Sequence, residues 1–178
     1  MLECQRHMFD VPREIAYFNC AAFTLFLLSV AEAGRAAVER RVHTWKINST
    51  ELPEGANQAR AVFGRLINAE QDAIAVIPAT SYGMAVAAAN LDLGADQNIV
   101  VVEDQFPSNY YIWVEKAAAA GAVMNVVPRP DNGDWTPGVL AAIGPDTAIV
   151  TLPPCHWMDG SLLDLEKIGV RCREVGAA

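Results

Sequence analysis

The sequence predicts an α/β fold in which helices cover both faces of a parallel β-sheet. Four short β-rich runs begin 24 to 26 residues apart, at Ala73, Ile99, Val123 and Thr147. Alanine-rich stretches of helical composition separate these runs. A strand–helix repeat of this length is typical of the βαβ unit, whose strands lie parallel. The first two runs are apolar at consecutive positions, as expected for strands that are covered on both faces.

The predicted elements follow in order along the chain. Two helices, Val30–His43 and Asn57–Asn68, precede the repeat, with the polar segment Asn48–Gly55 as the loop between them. The strands are predicted over Ala73–Ile77, Ile99–Glu103, Val123–Val127 and Thr147–Leu152, and the intervening helices over Tyr82–Leu91, Ser108–Ala120 and Pro137–Ile143. A last helix, Leu163–Val175, has Gly176 as its stop signal. We divide the chain into an N-terminal arm with helices, residues 1–68, and the first part of an α/β domain, residues 69–178.

Composition and charge exclude several classes of function. The 178 residues include 13 Lys and Arg against 21 Asp and Glu, which gives a formal net charge of −8. Binding to phosphate backbones or anionic membranes needs clustered Lys and Arg, and the one basic run is Arg40-Arg41, so neither partner is expected. An apolar content of 52% with 19% charged residues supports a sizeable core and excludes disorder.

The cysteines indicate a cytoplasmic protein. Cys4, Cys20, Cys155 and Cys172 lack metal-binding spacing and are predicted to be reduced, mostly buried thiols. A secretory signal is the alternative, because Ile15–Ala31 is uncharged and ends at an A-x-A sequence. Acidic residues in its flank argue against that alternative, and seventeen residues are short for a membrane span.

Three loops at the carboxyl ends of the predicted strands carry candidate site residues, and ligands of open parallel sheets bind at this edge. Thr80 and Ser81 precede a helix of small residues, where hydroxyls and free backbone N–H groups suit an anion. An ordinary Ser/Thr N-cap is the alternative for these two residues. No G-x-G-x-x-G sequence and no Walker lysine accompany them, so a dinucleotide or ATP site is not predicted.

The other two loops carry aromatic residues and a histidine. Phe106 is predicted to be either a stacking platform for a planar ligand or a hydrophobic staple of the helix that begins near Pro107. His156 and Trp157 precede the turn at Asp159-Gly160, and the histidine is either structural or part of a site. The three loops together suit a flat, phosphorylated cofactor, and no metal site is expected.

These residues resemble those of the class V aminotransferases, fold-type-I pyridoxal-phosphate enzymes that include cysteine desulfurases, kynureninases and isopenicillin-N epimerase. The resemblance lies in Ala16–Asn19, Pro78–Leu91, Glu103–Trp113 and His156 through Leu165. It implies a three-layer parallel-sheet large domain, here incomplete, with pyridoxal 5'-phosphate as the cofactor.

The resemblance also implies a role for each candidate residue. Thr80 and Ser81 would hold the cofactor phosphate, Phe106 would stack on the pyridine ring, and His156 and Trp157 would lie beside the cofactor or the substrate. Phe106-Pro107 is more similar to kynureninase than to the desulfurases. Trp157 stands near an asparagine of the desulfurases, which argues against desulfurase chemistry.

The activity implied by the resemblance is transamination, lyase or epimerase chemistry on an amino acid through an external aldimine, usually in a homodimer. Members of the family have two further residues after the region that corresponds to Ala178. One is an aspartate that pairs with the pyridinium nitrogen, and the other is the lysine that forms the Schiff base. Lys46, Lys116 and Lys167 do not lie at the expected place. We therefore expect a C-terminally truncated fragment that has no catalytic residue of its own and is inactive alone. The alternative is a non-catalytic α/β module that binds a phosphorylated ligand or a partner chain.

Overall fold

A computed structural model describes residues 3–49 and 52–178 of the protein. The chain forms two compact units, and the boundary between them along the sequence falls between Val76 and Ile77. The sequence prediction places the start of the second domain at residue 69 instead. The functional division into an arm and a cofactor domain stays a prediction.

The first unit contains two helices, α1 (Leu28–Val42) and α2 (Leu52–Ile67). Helix α2 begins five residues before the predicted Asn57, so the predicted loop Asn48–Gly55 is wrong over its second half. Pro53 explains the earlier start of the helix. The first N–H groups of a helix have no acceptor within the helix, so a proline in the first turn removes no helical hydrogen bond. Thr50 and Glu51 of that loop lie outside the described residues. After α2, Arg60 donates to Asp72 Oδ1 at 3.0 Å and holds a 3₁₀ turn, Gln71–Ala73, against the helix.

The strand predicted over Ala73–Ile77 does not form. Ala73 ends the 3₁₀ turn and residues 74–77 adopt no regular structure, with Val76 65% exposed. A strand requires a hydrogen-bonding neighbour. The described residues place no neighbouring strand beside this segment, so its β-branched composition is not sufficient.

The second unit contains a parallel sheet, as predicted. Its strands are β1 (Asn98–Val102), β2 (Val123–Val127) and β3 (Thr147–Val150), and in the described part of the chain their order is β2-β1-β3. Both neighbours of β1 run parallel to it. Because β1 lies in the centre, Ile99 to Val102 are fully buried, which explains the consecutive apolar residues.

Helices cover both faces of the sheet and confirm the three-layer α/β class. They are α3 (Thr80–Asn90), α4 (Tyr111–Ala120), α5 (Thr136–Ala142) and α6 (Leu165–Val175). On one face Ile99 packs with residues of α3 and α4 such as Ala88 and Trp113. On the other face Val100 and Val102 pack with residues of α5 and α6 such as Val139 and Ile168.

The last helix ends as the sequence predicts. Gly176 has a φ of 78°, a left-handed conformation that glycine adopts without strain. Two residues later, Ala178 N–H donates to Ala148 O and Val150 N–H donates to Ala178 O, both at 2.9 Å. The backbone after α6 therefore returns to the edge of β3 in the pairing of a parallel strand, as the repeat requires.

The cysteine prediction is wrong in one respect. Cys4, Cys20 and Cys155 are exposed, and only Cys172 is half-buried. Burial raises the pKa of the Cys172 thiol. Within residues 3–49 and 52–178, none of the helices combines the length and the apolar character required to cross a bilayer.

Candidate functional site at the carboxyl edge of the sheet

The loops after β1, β2 and β3 meet at one edge of the second unit, because the carboxyl ends of parallel strands lie together. Two aromatic residues predicted from the sequence come into contact there. The ring centroids of Phe106 and Trp157 are 5.5 Å apart with the planes at 87°. Phe106 is 47% exposed and Trp157 is 54% exposed. We call these two residues the aromatic pair, and their ring surface is available to a ligand.

Hydrogen bonds hold the aromatic pair in place. Trp157 Nε1 donates to Asp104 O at 2.7 Å, which joins the loop after β3 to the loop after β1. Phe106 precedes a 3₁₀ turn, Pro107–Asn109, and α4 begins at Tyr111, three residues after the predicted Ser108. Asn109 Oδ1 in this turn accepts from Thr151 Oγ1 at 2.6 Å, so the turn is fastened to the end of β3.

His156 lies inside the protein. Its ring is fully buried and stacks on Trp135, with centroids 5.0 Å apart and planes at 18°. Glu103 O can only accept, so His156 Nε2 donates to it at 3.1 Å, and Nδ1 lies 3.4 Å from Met158 N and 3.9 Å from Asp159 Oδ1. The ring therefore joins the loop after β3 to the end of β1. A place for His156 beside a cofactor stays a prediction.

Thr80 and Ser81 occupy the first turn of α3. The N-cap residue is Ala79, and within the described chain no side chain caps this helix. The ordinary Ser/Thr N-cap interpretation is therefore wrong. Both side chains are exposed, and the first N–H groups of a helix have no partner within the helix. Helix α3 contacts the turn Pro107–Asn109, so the candidate anion site and the aromatic pair lie on adjoining segments.

Sequence reasoning missed Arg129, which connects all three loops. Its guanidinium forms ion pairs with Asp159 and, at 3.4 Å, with Asp104. Its backbone N–H donates to Glu103 Oε2 at 2.8 Å, and its Cζ lies 5.4 Å from the centre of the Trp135 ring. One signal in the sequence marks this residue but not its contacts, because Arg129 is the only Lys or Arg in these three loops.

The charge of Arg129 is balanced by its partners. Hydrogen bonds from the Ser161 hydroxyl and N–H, together with Arg129, lower the pKa of Asp159 to about 2. Asp159 is therefore ionised at neutral pH. Two carboxylates of the protein itself thus lie against the Arg129 guanidinium.

Gln105 provides a test of whether this edge suits a ligand. The side chain is 7% exposed, and its Oε1 accepts from Phe106 N–H at 2.8 Å. That bond sets the orientation of the amide, and its Nε2 is buried without a hydrogen-bond partner among the described residues. An unpartnered buried donor costs about 1–3 kcal/mol. Its place next to Phe106 fits a site in which a polar group approaches the aromatic pair.

Comparisons with known proteins agree with this architecture. A variant of C-DES with glycine covalently linked to its PLP cofactor superimposes with a TM-score of 0.84 at 21% identity, over 97% of this chain and 46% of that one. An uncharacterised aminotransferase of Bacillus subtilis, YcbU, is 26% identical over 68% of this chain and 32% of its own length. A cysteine desulfurase of Klebsiella pneumoniae is 30% identical over 60% of this chain and 28% of its own length.

The fold is that of the large domain of the fold-type-I pyridoxal-phosphate enzymes. The family model described as aminotransferase class-V matches residues 27–178, and the chain belongs to that family, whose members depend on pyridoxal phosphate. The chain spans less than half the length of each of the three relatives described above.

Proposed function

We propose that the chain is the N-terminal portion of a pyridoxal-phosphate-dependent class V enzyme that acts on an amino acid by transamination, lyase or epimerase chemistry. The half-exposed aromatic pair at the carboxyl edge of the sheet carries this proposal. When bound, the cofactor supplies an electron sink for bonds at the substrate Cα. Phe106 offers a ring face on which a pyridine ring stacks, and Trp157 limits access of water from one side.

Thr80 and Ser81 would bind the phosphate. Their hydroxyls are exposed, and the first-turn N–H groups of α3 with the positive end of the helix dipole favour an anion. The Gln105 amide donor would serve a polar group of the cofactor or substrate. His156 would support the site from the protein interior. Its hydrogen bond to Glu103 O would hold the loop that carries Trp157 in place.

We also propose that none of the three lysines forms the Schiff base, so that the fragment is inactive alone. Lys116 Nζ donates to Ala88 O at 2.8 Å, and Lys167 Nζ pairs with Asp164 at 2.6 Å. Lys46 lies in a 3₁₀ turn of the first unit, Thr44–Lys46. Borohydride reduction of the protein with pyridoxal phosphate tests this, since a stoichiometric adduct on one of these lysines would contradict it.

A cytoplasmic homodimer is the proposed assembly of the full-length protein. Val62 and Phe63 on α2 and Val30 on α1 line an apolar cleft within the first unit, and each is about half exposed. Apolar surface of this kind is typical of protein–protein contacts. Sedimentation equilibrium of the full-length protein tests the dimer, and a monomer at all concentrations would contradict it.

Calorimetric titration with pyridoxamine 5'-phosphate tests the function, because this ligand binds without a Schiff base. Phe106→Ala should weaken binding about threefold to tenfold, since aromatic stacking contributes about 0.5–1.5 kcal/mol. Phe23→Ala is the control, because Phe23 is also an exposed phenylalanine but lies in the first unit and outside the apolar cleft. Equal binding of inorganic phosphate, with no effect of Phe106→Ala, would favour the non-catalytic binding module instead.

A further inference from the structure

Arg129 reaches both loops that carry the aromatic pair. One ion pair leads to Asp104, two residues before Phe106, and the other leads to Asp159, two residues after Trp157. Both carboxylates and the guanidinium are partly exposed, so these pairs add little to global stability. Their effect is local, because they set the separation of the two loops.

The backbone of Asp104 shows why that separation matters. Asp104 has a φ of 53°, in the left-handed region that is unfavourable for a residue with a side chain. Two contacts hold it there: its carboxylate pairs with Arg129, and its carbonyl accepts from Trp157 Nε1. Without Arg129, one of the two contacts is lost, and relaxation of Asp104 moves the acceptor of the indole.

The loop after β3 is held by the same arginine. Asp159 Oδ2 pairs with Arg129, and Asp159 Oδ1 accepts from Ser161 Oγ at 2.6 Å. Ser161 Oγ in turn accepts from Trp135 Nε1 at 2.8 Å. Removal of the guanidinium also leaves the carboxylates of Asp104 and Asp159 without their shared cation, which favours separation of the loops.

We propose that Arg129 is a positioning residue, which fixes the relative orientation of Phe106 and Trp157 by pairing with Asp104 and Asp159. The consequence for a bound pyridine ring rests on the proposed function, whereas the effect on Trp157 does not. A direct role in binding a substrate anion is not required, because the guanidinium is already paired on both sides.

Hydrogen exchange of the tryptophan indole N–H groups tests the positioning role in the whole protein. Arg129→Gln should accelerate exchange of Trp157 Nε1–H about tenfold, the factor expected for loss of one hydrogen bond. Arg129→Lys keeps one cation and should restore part of the protection. Trp113, whose Nε1 donates to Asn109 Oδ1, is the internal reference and should not change.

Arg171→Gln is the matched control, because Arg171 donates to Ile143 O and pairs with Glu174 in the same unit, on α6. It should leave Trp157 exchange unchanged. Unaltered exchange of Trp157 in Arg129→Gln, or equal acceleration at Trp113, would overturn the positioning role. Titration with pyridoxamine 5'-phosphate then separates the two proposals: if the wild-type protein does not bind it, the proposed function fails, and Trp157 exchange alone decides the role of Arg129.

Discussion

His156 stacks on Trp135 with ring centroids 5.0 Å apart, and the imidazole is completely shielded from solvent. The stack joins the loop after β3 to the N-terminus of α5. His156 Nε2 also donates to Glu103 O, so one buried ring connects three segments behind the aromatic pair. The adjacent Cys155 is exposed, so two neighbours in the sequence differ in their environment.

His156→Ala should lower the free energy of unfolding by about 2–4 kcal/mol, because it leaves a cavity beside Trp135 and removes the donor to Glu103 O. Urea denaturation followed by far-UV circular dichroism measures this loss. His7→Ala is the control, since His7 is exposed and the change should stay within about 0.5 kcal/mol. An equally small effect at His156 would show that the buried stack does not stabilise the fold.

The double variant Thr80→Val with Ser81→Ala should weaken binding of pyridoxamine 5'-phosphate at least about tenfold, because each hydroxyl bonded to a charged group contributes about 1.5–3 kcal/mol. Binding of pyridoxamine, which lacks the phosphate, should not change. Ser29→Ala is the matched control, as Ser29 is also an exposed residue in the first turn of a helix, α1. Equal weakening for both ligands in calorimetry would refute a phosphate site at Thr80 and Ser81.

Asp159 makes stability depend on pH at the acid end. Its pKa is lowered to about 2 from the ordinary value of 3.8, chiefly by the hydrogen bonds from Ser161. The ionised carboxylate therefore stabilises the fold fully above 3.8, and this contribution is lost as the pH falls through about 2. The urea midpoint of the wild type should fall more steeply than that of Asp159→Asn over this interval. Parallel curves for the two proteins would contradict the assignment.

Gln105→Leu should change the free energy of unfolding by less than about 1 kcal/mol, because it removes a buried donor without a described partner while losing one acceptor. Thr147→Val is the comparison, since Thr147 is equally buried but its hydroxyl accepts from Gly144 N–H and donates to Asn98 Oδ1. That change should cost about 1–3 kcal/mol. A larger loss at Gln105 than at Thr147, measured by urea denaturation, would show that the Gln105 amide is satisfied in solution.

Local sequence patterns were sufficient for most of the second unit. The consecutive apolar residues from Ile99 to Val102 predict a strand covered on both faces, and Gly176 predicts the end of α6, because both signals act over a few residues. Both residues of the aromatic pair were also predicted from the sequence as candidate site residues, because Phe106 and Trp157 each follow a predicted strand. Parallel topology then brings the ends of those strands together.

The same reasoning failed where a distant partner decides the outcome. Residues 74–77 have the composition of a strand. A strand forms only beside another strand, however, and the composition of a segment does not indicate whether such a strand lies next to it. Arg129 lies more than twenty residues from both Asp104 and Asp159 in the sequence. No periodicity links residues at such distances, so its role as the connection among three loops is visible only in the folded chain.

The sequence by itself determined the fold class, the order of the elements from α3 onward and which loops reach the carboxyl edge, because propensity, periodicity and turn residues act locally. Tertiary structure alone decided which side chains at that edge face solvent and which face the core. It buried His156 against Trp135 and left Trp157, the next residue, half exposed. Two adjacent residues that the sequence presents equally as candidate site residues thus differ in burial. Burial depends on the elements that pack against each side of the chain.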